Sequence, residues 1–455
     1  MRPRMERRMG PAVGRWERWL AALVLWALVG AAWAALPIEH WVRPDGARVY
    51  LVRSDALPML DVRLEVDGGS RRDPPGRAGL AAATARMLAS GVAAHGGQSA
   101  LDENALAEAW ADLGAQWSAT ATLDRFSISL RTLTRPDVLD RAVSLLARQL
   151  AAPAFDAAVW ARERERLVAA WREAQTQPDT LAQRRFAQAV YRGHPYGAEA
   201  TPDTWAAIDP AAMRDFYRRH ARVCDARITL VGAVDRAQAD AIAARLLAGW
   251  AAHGCERLPP VPEVEPLAAS VTVREPFANA AQAQILIGRP GVARHDPDYL
   301  ALQLANHIFG GGGFTSRLMR EIREQRGLTY GVYSYFLAGR HAGAFTIGLQ
   351  TRSDQAAQAV ALVHEALRRY TAEGPTDDEI AAAKASLING FALRLDSNRK
   401  ILDQVAAIAW SDLPLDELET WRARVAALDR ETVMRAWRRV IDPDRLVTVV
   451  VGPNP

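Results

Sequence analysis

"AQWSATATLDRFSISLRTL" (115–133), followed by "RPDVLDRAVSLLARQL" (135–150), has a counterpart later in the chain. There "GVYSYFLAGRHAGAFTIGLQT" (331–351) is followed by "SDQAAQAVALVHEALRRY" (353–370). Each passage holds two stretches of alternating apolar and polar residues, then apolar residues three and four apart. Alternation predicts a pair of strands, and the longer period predicts an amphipathic helix. One order of elements at two places marks a duplicated unit. The ends of the units agree: "FYRRHARVCDARITLVGAVD" (216–235) and "AWRRVIDPDRLVTVVVGPNP" (436–455) both read as helix, turn, then a β-branched strand closing on Val-Gly. Between the copies, "ERLPPVPEVEPLAAS" (256–270) is proline-rich without helical period and reads as a linker. Residues 35–255 and 271–455 are then two homologous halves. Strands gathered in hairpins and helices in groups predict the α+β class, each half a mainly antiparallel sheet packed by helices. Two such halves can face each other across a cavity.

The 455 residues are 49% hydrophobic and 24% charged, an ordinary globular balance long enough for large cores. The formal charge of +4 comes from interleaved signs, as in "WARERERLVAAWRE" (160–173), which reads as a solvated helix face. No basic block with interleaved aromatics occurs, so nucleic acid is not expected as a partner. The N-terminus has a basic stretch, then the apolar "WLAALVLWALVGAAWA" (19–34) ending in Ala32-Trp33-Ala34. That run is short of the ~20 residues a membrane span needs and fits a cleaved secretory signal over 1–34. Membrane contact is expected only if the segment stays uncleaved. Either way the body of the protein is expected in the periplasm or outside the cell. Two cysteines, Cys224 and Cys255, permit a disulfide in that setting without requiring one.

"IFGGGGFTSRLMREIREQRGLTYGVYS" (308–334) raises the question of chemistry. A phosphate-binding loop needs Lys-Ser/Thr after its glycines, and none follows here. Thr315 is the expected N-cap, with Phe314 and Met319 as an apolar staple. Leu318, Met319 and Ile322 form the expected buried stripe, and Gly327 the stop. Arg317, Arg320, Arg323, Arg326 and Tyr330 are left unexplained.

That stretch, with "GGSRRDPPGRAGLAAATARMLASG" (68–91), "YRGHPYG" (191–197) and the Val-Gly strand ends, resembles the insulinase/pitrilysin/mitochondrial-processing-peptidase family across essentially the whole mature chain. The resemblance implies α+β halves around a peptide-sized chamber, with zinc held by an H-x-x-E-H helix in the first half. Such a helix sets both histidines on one face, with the glutamate as base. Here those places are Ala82, Ala85 and Arg86. The third ligand implied by the family, counted from Glu165-Arg166, falls on Arg172. The zinc machinery is therefore expected to be absent and the chain to hold no metal. By the same resemblance, Arg323 and Tyr330 keep the family's arginine–tyrosine pair that contacts substrate, and Gly310, Gly311, Gly312, Gly313 and Phe314 would line the chamber and touch peptide.

No H-E-x-x-H, close His/Cys cluster or G-x-S-x-G offers another hydrolytic site, and His194, His307 and His341 read as structural. The expectation is a non-catalytic subunit of a heterodimer with a homologous zinc-bearing chain, lending Arg323 and Tyr330 to peptide hydrolysis there. The alternative is a catalytically silent peptide binder or scaffold of the same fold.

Overall fold

The computed structural model describes residues 36–250, 256–278 and 280–453. The signal reading of 1–34 and the residue Cys255 lie outside the described residues. Cys224 is disulfide-bonded, and Cys255 is the only other cysteine in the chain. Among the described residues no helix is long and apolar enough to cross a membrane.

The first half builds a six-stranded sheet from β1 (Glu39–Val42), β2 (Arg48–Arg53), β3 (Met59–Val66), β6 (Gln116–Ala121), β7 (Phe126–Leu133) and β8 (Arg227–Gly232), in the order β1-β2-β8-β3-β7-β6. A two-stranded ribbon, β4 (Gly91–Val92) with β5 (Leu101–Asp102), stands apart from it. The second half has β9 (Val271–Pro276), β10 (Ala283–Pro290), β11 (Val332–Phe336), β12 (Ala344–Thr351) and β13 (Val447–Gly452), in the order β11-β12-β10-β13-β9. Read from the opposite edge, the second order reproduces β2-β8-β3-β7-β6. The strand directions match as well: β2 is parallel to β8, β9 is parallel to β13, and the other pairs are antiparallel. The duplication read from the sequence is thus present in the topology. The short β1 is the first half's addition.

Alternation decides which face of each sheet is apolar. Phe126, Ile128 and Leu130 of β7 and Leu60, Val62 and Leu64 of β3 point into one core, while Asp61, Arg63, Glu65, Ser127, Ser129 and Arg131 share the other face. That second face is covered by a helix from the other half. Asn398–Trp410 lies on β8 and β3, and reciprocally Pro178–Tyr191 of the first half lies on β10 and β13. Pro178 opens its helix at a position where no N–H is needed. Ala182, Phe186 and Val190 then repeat every fourth residue on the side facing the second sheet. The fit is close: a methyl group at Gly288 would meet Phe186 Cζ at 2.8 Å. Asn398–Trp410 buries seven of its side chains, from Ile401 to Trp410, because it is sandwiched between the two halves.

The hairpin turns meet between the halves. Asp124, in the β6–β7 turn, accepts from Arg71 Nε (2.9 Å) and the Tyr196 hydroxyl (2.5 Å) through Oδ1, and from the Arg340 backbone N–H (2.8 Å) of the β11–β12 loop through Oδ2. Burial pushes the Tyr196 phenol well above its usual range, and the Asp124 charge adds to this, so Tyr196 stays a proton donor. The linker is tied down. His194 Nε2 donates to Pro262 O at 2.9 Å, His341 Nδ1 lies 2.9 Å from Glu263 Oε1, and Val264 and Leu267 are buried. His194 and His341 are structural, as the sequence predicts.

Asp124→Ala leaves Arg71, nearly inaccessible, with only Asp67 as its partner. Loss of one member of a buried ion pair costs roughly 3–5 kcal/mol, and the remaining Asp67 bond puts the expected loss at the lower end. Urea unfolding at neutral pH, compared with the wild type, measures it.

Candidate functional site

The helix Leu80–Met87 carries the residues at the expected metal positions. Its N-terminus is fixed by Gly79 at φ +97 and by Asp73, whose carboxylate accepts from Gly79 N (2.7 Å) and Ala81 N (2.8 Å). Burial pushes the Asp73 carboxyl up to about 6 in spite of those bonds. Ala82 and Arg86, one turn apart, are on the exposed face, and Ala85 is buried. Arg86 Nη1 lies 3.3 Å from Glu163 Oε2, and Arg166 binds the other oxygen of the same carboxylate. Glu163, on the helix Ala157–Ala174, is buried.

This corrects the expectation for the third ligand. Arg172 is exposed, nine residues (172 − 163) further along the same helix, or about 13.5 Å along its axis. The side chain facing Arg86 is Glu163. A carboxylate therefore stands beside Arg86, and arginines neutralise it. One carboxylate, two alanines and an arginine do not fit a zinc ion. Among the described residues no group of three or more His, Cys, Asp or Glu could hold a metal.

In the second half the glycine-rich stretch forms two π-helical turns, His307–Gly311 and Met319–Glu324, separated by a short 3₁₀ turn. Such wide turns place an extra residue in the ring, seen here in Gln325 N–H donating to Arg320 O at 3.0 Å. The cap is Ser316, whose Oγ accepts from Met319 N at 3.4 Å, and not Thr315, whose hydroxyl turns back to Gly312 O. Phe314 makes no staple with Met319: it is 67% exposed while Met319 is buried. The stripe Leu318, Met319, Ile322 is buried, and Gly327 ends the helix at φ +60, both as the sequence predicts.

The arginines separate by role. Arg317 forks onto Glu379 at 2.9 and 2.6 Å and also donates to Gly374 O, and Arg320 joins the same carboxylate at 3.3 Å. Burial pushes the Glu379 carboxyl up, but Arg317, the Thr376 N–H and Arg320 outweigh it and hold it at about 2. Arg326 donates to Glu321 O. Arg323 meets no carboxylate among the described residues. Its guanidinium carbon lies 5.0 Å from the Phe314 ring centroid and 5.8 Å from that of Tyr330. Tyr330 is 91% exposed. The structure therefore brings Arg323, Tyr330 and Phe314 together at the surface.

Gly310 departs from the expectation that the whole run lines a chamber, while Gly311, Gly313 and Phe314 are exposed. Gly310 is buried, and a Cβ there would meet Ser334 Oγ at 2.4 Å; at Gly311 it would meet Asn306 Nδ2 at 2.6 Å, and at Gly312 the His307 carbonyl at 2.6 Å. These three are glycine because the wide turn presses on its neighbours, and Gly310 is closed to any ligand. Gly313 is glycine for its φ of +61. The same turn closes the outer edge of β11. Asn306 Nδ2 donates to Ser334 O at 3.0 Å, and Met319 Sδ accepts from Val332 N at 3.4 Å, so this edge cannot pair with another strand. Sequence reading missed Asn306 and Glu163, because each matters only through a partner distant in sequence.

Tyr330 borders a groove of about 310 Å³ with Tyr333, Gln284 and Gln350 of the second half and Asp179 and Gln183 of the first. No residue of Leu80–Met87 lines it. A second groove, of about 510 Å³, lies over the polar face of the first sheet beside Arg399 and Leu402.

Two family models match the chain: "Insulinase (Peptidase family M16)" over residues 48–203 and "Peptidase M16 inactive domain" over residues 207–387. The crystal structure of a peptidase M16 inactive domain from Pseudomonas fluorescens superposes with a TM-score of 0.85 at 33% identity, covering 92% of this chain and 98% of that one. The chain belongs to the insulinase family, peptidase family M16. It is an inactive-type member. The "Non-peptidase homolog YmxG" of Helicobacter pylori is 24% identical over 412 residues, 89% of this chain and 91% of that one. An uncharacterized zinc protease of Streptomyces coelicolor is 29% identical over 262 residues, so the alignment spans 55% of that relative and 56% of this chain. The periplasmic protease PqqL of Escherichia coli shares the fold, with a TM-score of 0.76 at 17% identity over 92% of this chain and 46% of that one. The seam between the two family models, near residue 205, falls inside the first structural half, because β8 sits between β2 and β3.

Two outcomes are expected. Ala82→His with Arg86→His should create a site that retains one zinc through dialysis, measured by elemental analysis; adding Glu163→Gln should abolish retention, and adding Arg172→Ala should not. Separately, burial pushes the His220 imidazole down to about 4 while its Nδ1 donates to the Asp67 carbonyl at 2.8 Å. A base held below its free value of about 6.5 contributes stability above that pH, and the contribution is lost as pH falls toward 4. His220→Gln should therefore flatten the pH dependence of unfolding free energy between about 6.5 and 4, relative to the wild type.

Proposed function

We propose that this chain is the non-catalytic subunit of an exported zinc metallopeptidase, paired with a homologous metal-bearing chain and lending it Arg323 and Tyr330. The observation that carries the reading is the contrast between the two sites. At Arg86 and Glu163 the charges neutralise each other within the chain. At Arg323 a guanidinium that meets no carboxylate among the described residues stands beside an exposed phenol.

The chemistry of that pair suits peptide hydrolysis. A guanidinium fork can hold a substrate carbonyl, and a phenol hydroxyl can donate to the oxygen that gains charge in the tetrahedral intermediate. Phe314 and Tyr330 keep the guanidinium at the surface without neutralising it. No residue of the chain's own Leu80–Met87 helix lines the groove at Tyr330, which favours a site completed by another chain. PqqL, named a periplasmic protease, has 46% of its length covered by the match, so a comparable mass accompanies this fold there in one polypeptide. That supports both pairing and export.

A second reading, a silent peptide binder or scaffold, is favoured by the name of the Helicobacter pylori relative, a non-peptidase homolog. Reconstitution separates the two. The purified chain alone is expected to bind no zinc and cleave no peptide, and to raise the peptidase activity of a co-expressed zinc-bearing homologue. Arg323→Ala and Tyr330→Phe should each lower kcat of that complex by about 10²–10³-fold, the effect of removing an oxyanion donor. Complex formation with unchanged kcat in both variants would falsify the composite site and leave the scaffold.

A further inference from the structure

A cavity of about 660 Å³ lies within the second half, away from Arg323, Tyr330 and the Leu80–Met87 helix. Its volume is that of a small-molecule pocket, ~300–1,000 Å³. One wall is the aromatic pair Phe391 and Trp421, stacked with centroids 4.6 Å apart and rings 12° from parallel. Arg394 holds its guanidinium over the Trp421 ring, 5.2 Å from the centroid. Arg294 lies over Tyr299 at 4.3 Å.

Each guanidinium has five N–H donors in a planar fork. Among the described residues neither the Arg294 nor the Arg394 guanidinium makes a side-chain hydrogen bond, and Arg394 is exposed at the cavity rim. The nearest carboxylate oxygen to Arg294 is Glu417 Oε1, at 3.9 Å, and the other oxygen of Glu417 is bound by Arg424. The Tyr299 hydroxyl also has no partner among the described residues. Burial pushes that phenol's pKa up, and Arg294 and Arg394 both pull against it, so both cations act on the same hydroxyl. Aromatic faces fix the two arginines by cation–π contact and leave the N–H edge of Arg394, and most of that of Arg294 beyond its long approach to Glu417, open to a ligand. The lining also carries the carboxylates of Asp296, Asp416 and Glu417, of which Asp296 is held by Arg439 and Glu417 by Arg424, and the apolar Leu387 and Ile408. Two forks and a phenol beside an apolar wall match an anion attached to an apolar body.

We propose that this cavity binds an organic carboxylate with an aromatic or aliphatic body. The carboxylate is held by Arg294, Arg394 and the Tyr299 hydroxyl, and the body rests against Phe391 and Trp421. The same chemistry is presented by a free organic acid and by the C-terminal residue of a peptide. The site is independent of Arg323 and Tyr330 and does not rest on the proposed heterodimer.

Calorimetric titration of the purified chain tests it with 4-phenylbutyrate, its amide, and a peptide ending in phenylalanine with a free or an amidated C-terminus. The acid is expected to bind saturably and the amide at least about tenfold more weakly. Arg394→Gln and Arg294→Gln should each weaken the acid by at least about tenfold, and Leu300→Trp, which fills the cavity, should abolish binding. Binding of the acid alone identifies a free ligand, and binding of the free-carboxyl peptide identifies a peptide terminus. The proposal is overturned if no carboxylate binds at millimolar concentration, if acid and amide bind alike, or if both arginine variants bind as the wild type does.

Discussion

The carboxylate of Asp124 is the point on which the arrangement of this chain depends. It is buried at a hairpin turn of the first half, and a carboxylate in that position is tolerated only when its oxygens are fully hydrogen-bonded. Its donors come from three separate places: Arg71, just before the former metal helix; Tyr196, after the helix that crosses to the second sheet; and the Arg340 backbone, in the opposite hairpin. Satisfying one charge therefore fixes the entry to the first site, the root of the exchanged helix and the second half at once. The exchanged helices follow from it. Pro178–Tyr191 and Asn398–Trp410 each cover the sheet of the other half, so neither half can move without uncovering apolar surface of both.

The two halves balance their charges in different ways. The buried carboxylate of Glu163 needs a cation. Arg86, one turn from Ala82, supplies one with help from Arg166. The pair is local and partly solvated, so it disturbs neither the sheet nor the crossing helix. The second half took a different course. Its wide glycine turn presses Asn306 against the β11 edge, and its helix is moored through Arg317 and Arg320 to Glu379. The mooring makes Arg323 available, since the other basic side chains of that turn are engaged by the structure itself.

The same contrast distinguishes the pocket beside Trp421 from the remaining surface. Most arginines in this chain meet a carboxylate or a carbonyl. Arg394 rests instead on a ring face, and Arg294 rests on another with only a long contact to Glu417. Aromatic contact positions a guanidinium without neutralising it, whether at Arg323 or at Arg394.

The sequence by itself determined the duplication, the α+β class, the strand and helix order within each half and the residue types Ala82, Ala85 and Arg86 on the first helix. Those follow from local periodicity and residue identity, which need no knowledge of what packs against what. It also singled out Arg323 and Tyr330, which the structure brings near each other. The tertiary structure alone decided that Glu163 and not Arg172 faces Arg86, since a count along a helix carries no information about which turn meets a neighbour. It alone decided that Gly310, Gly311 and Gly312 serve packing, because a glycine's reason lies in the atoms a side chain would strike. The helix exchange was equally illegible: Phe186 reads as an ordinary apolar position until the second sheet is seen beneath it. Period and chemistry are written along the chain. The identity of a contact is settled only when distant segments compete for the same buried space.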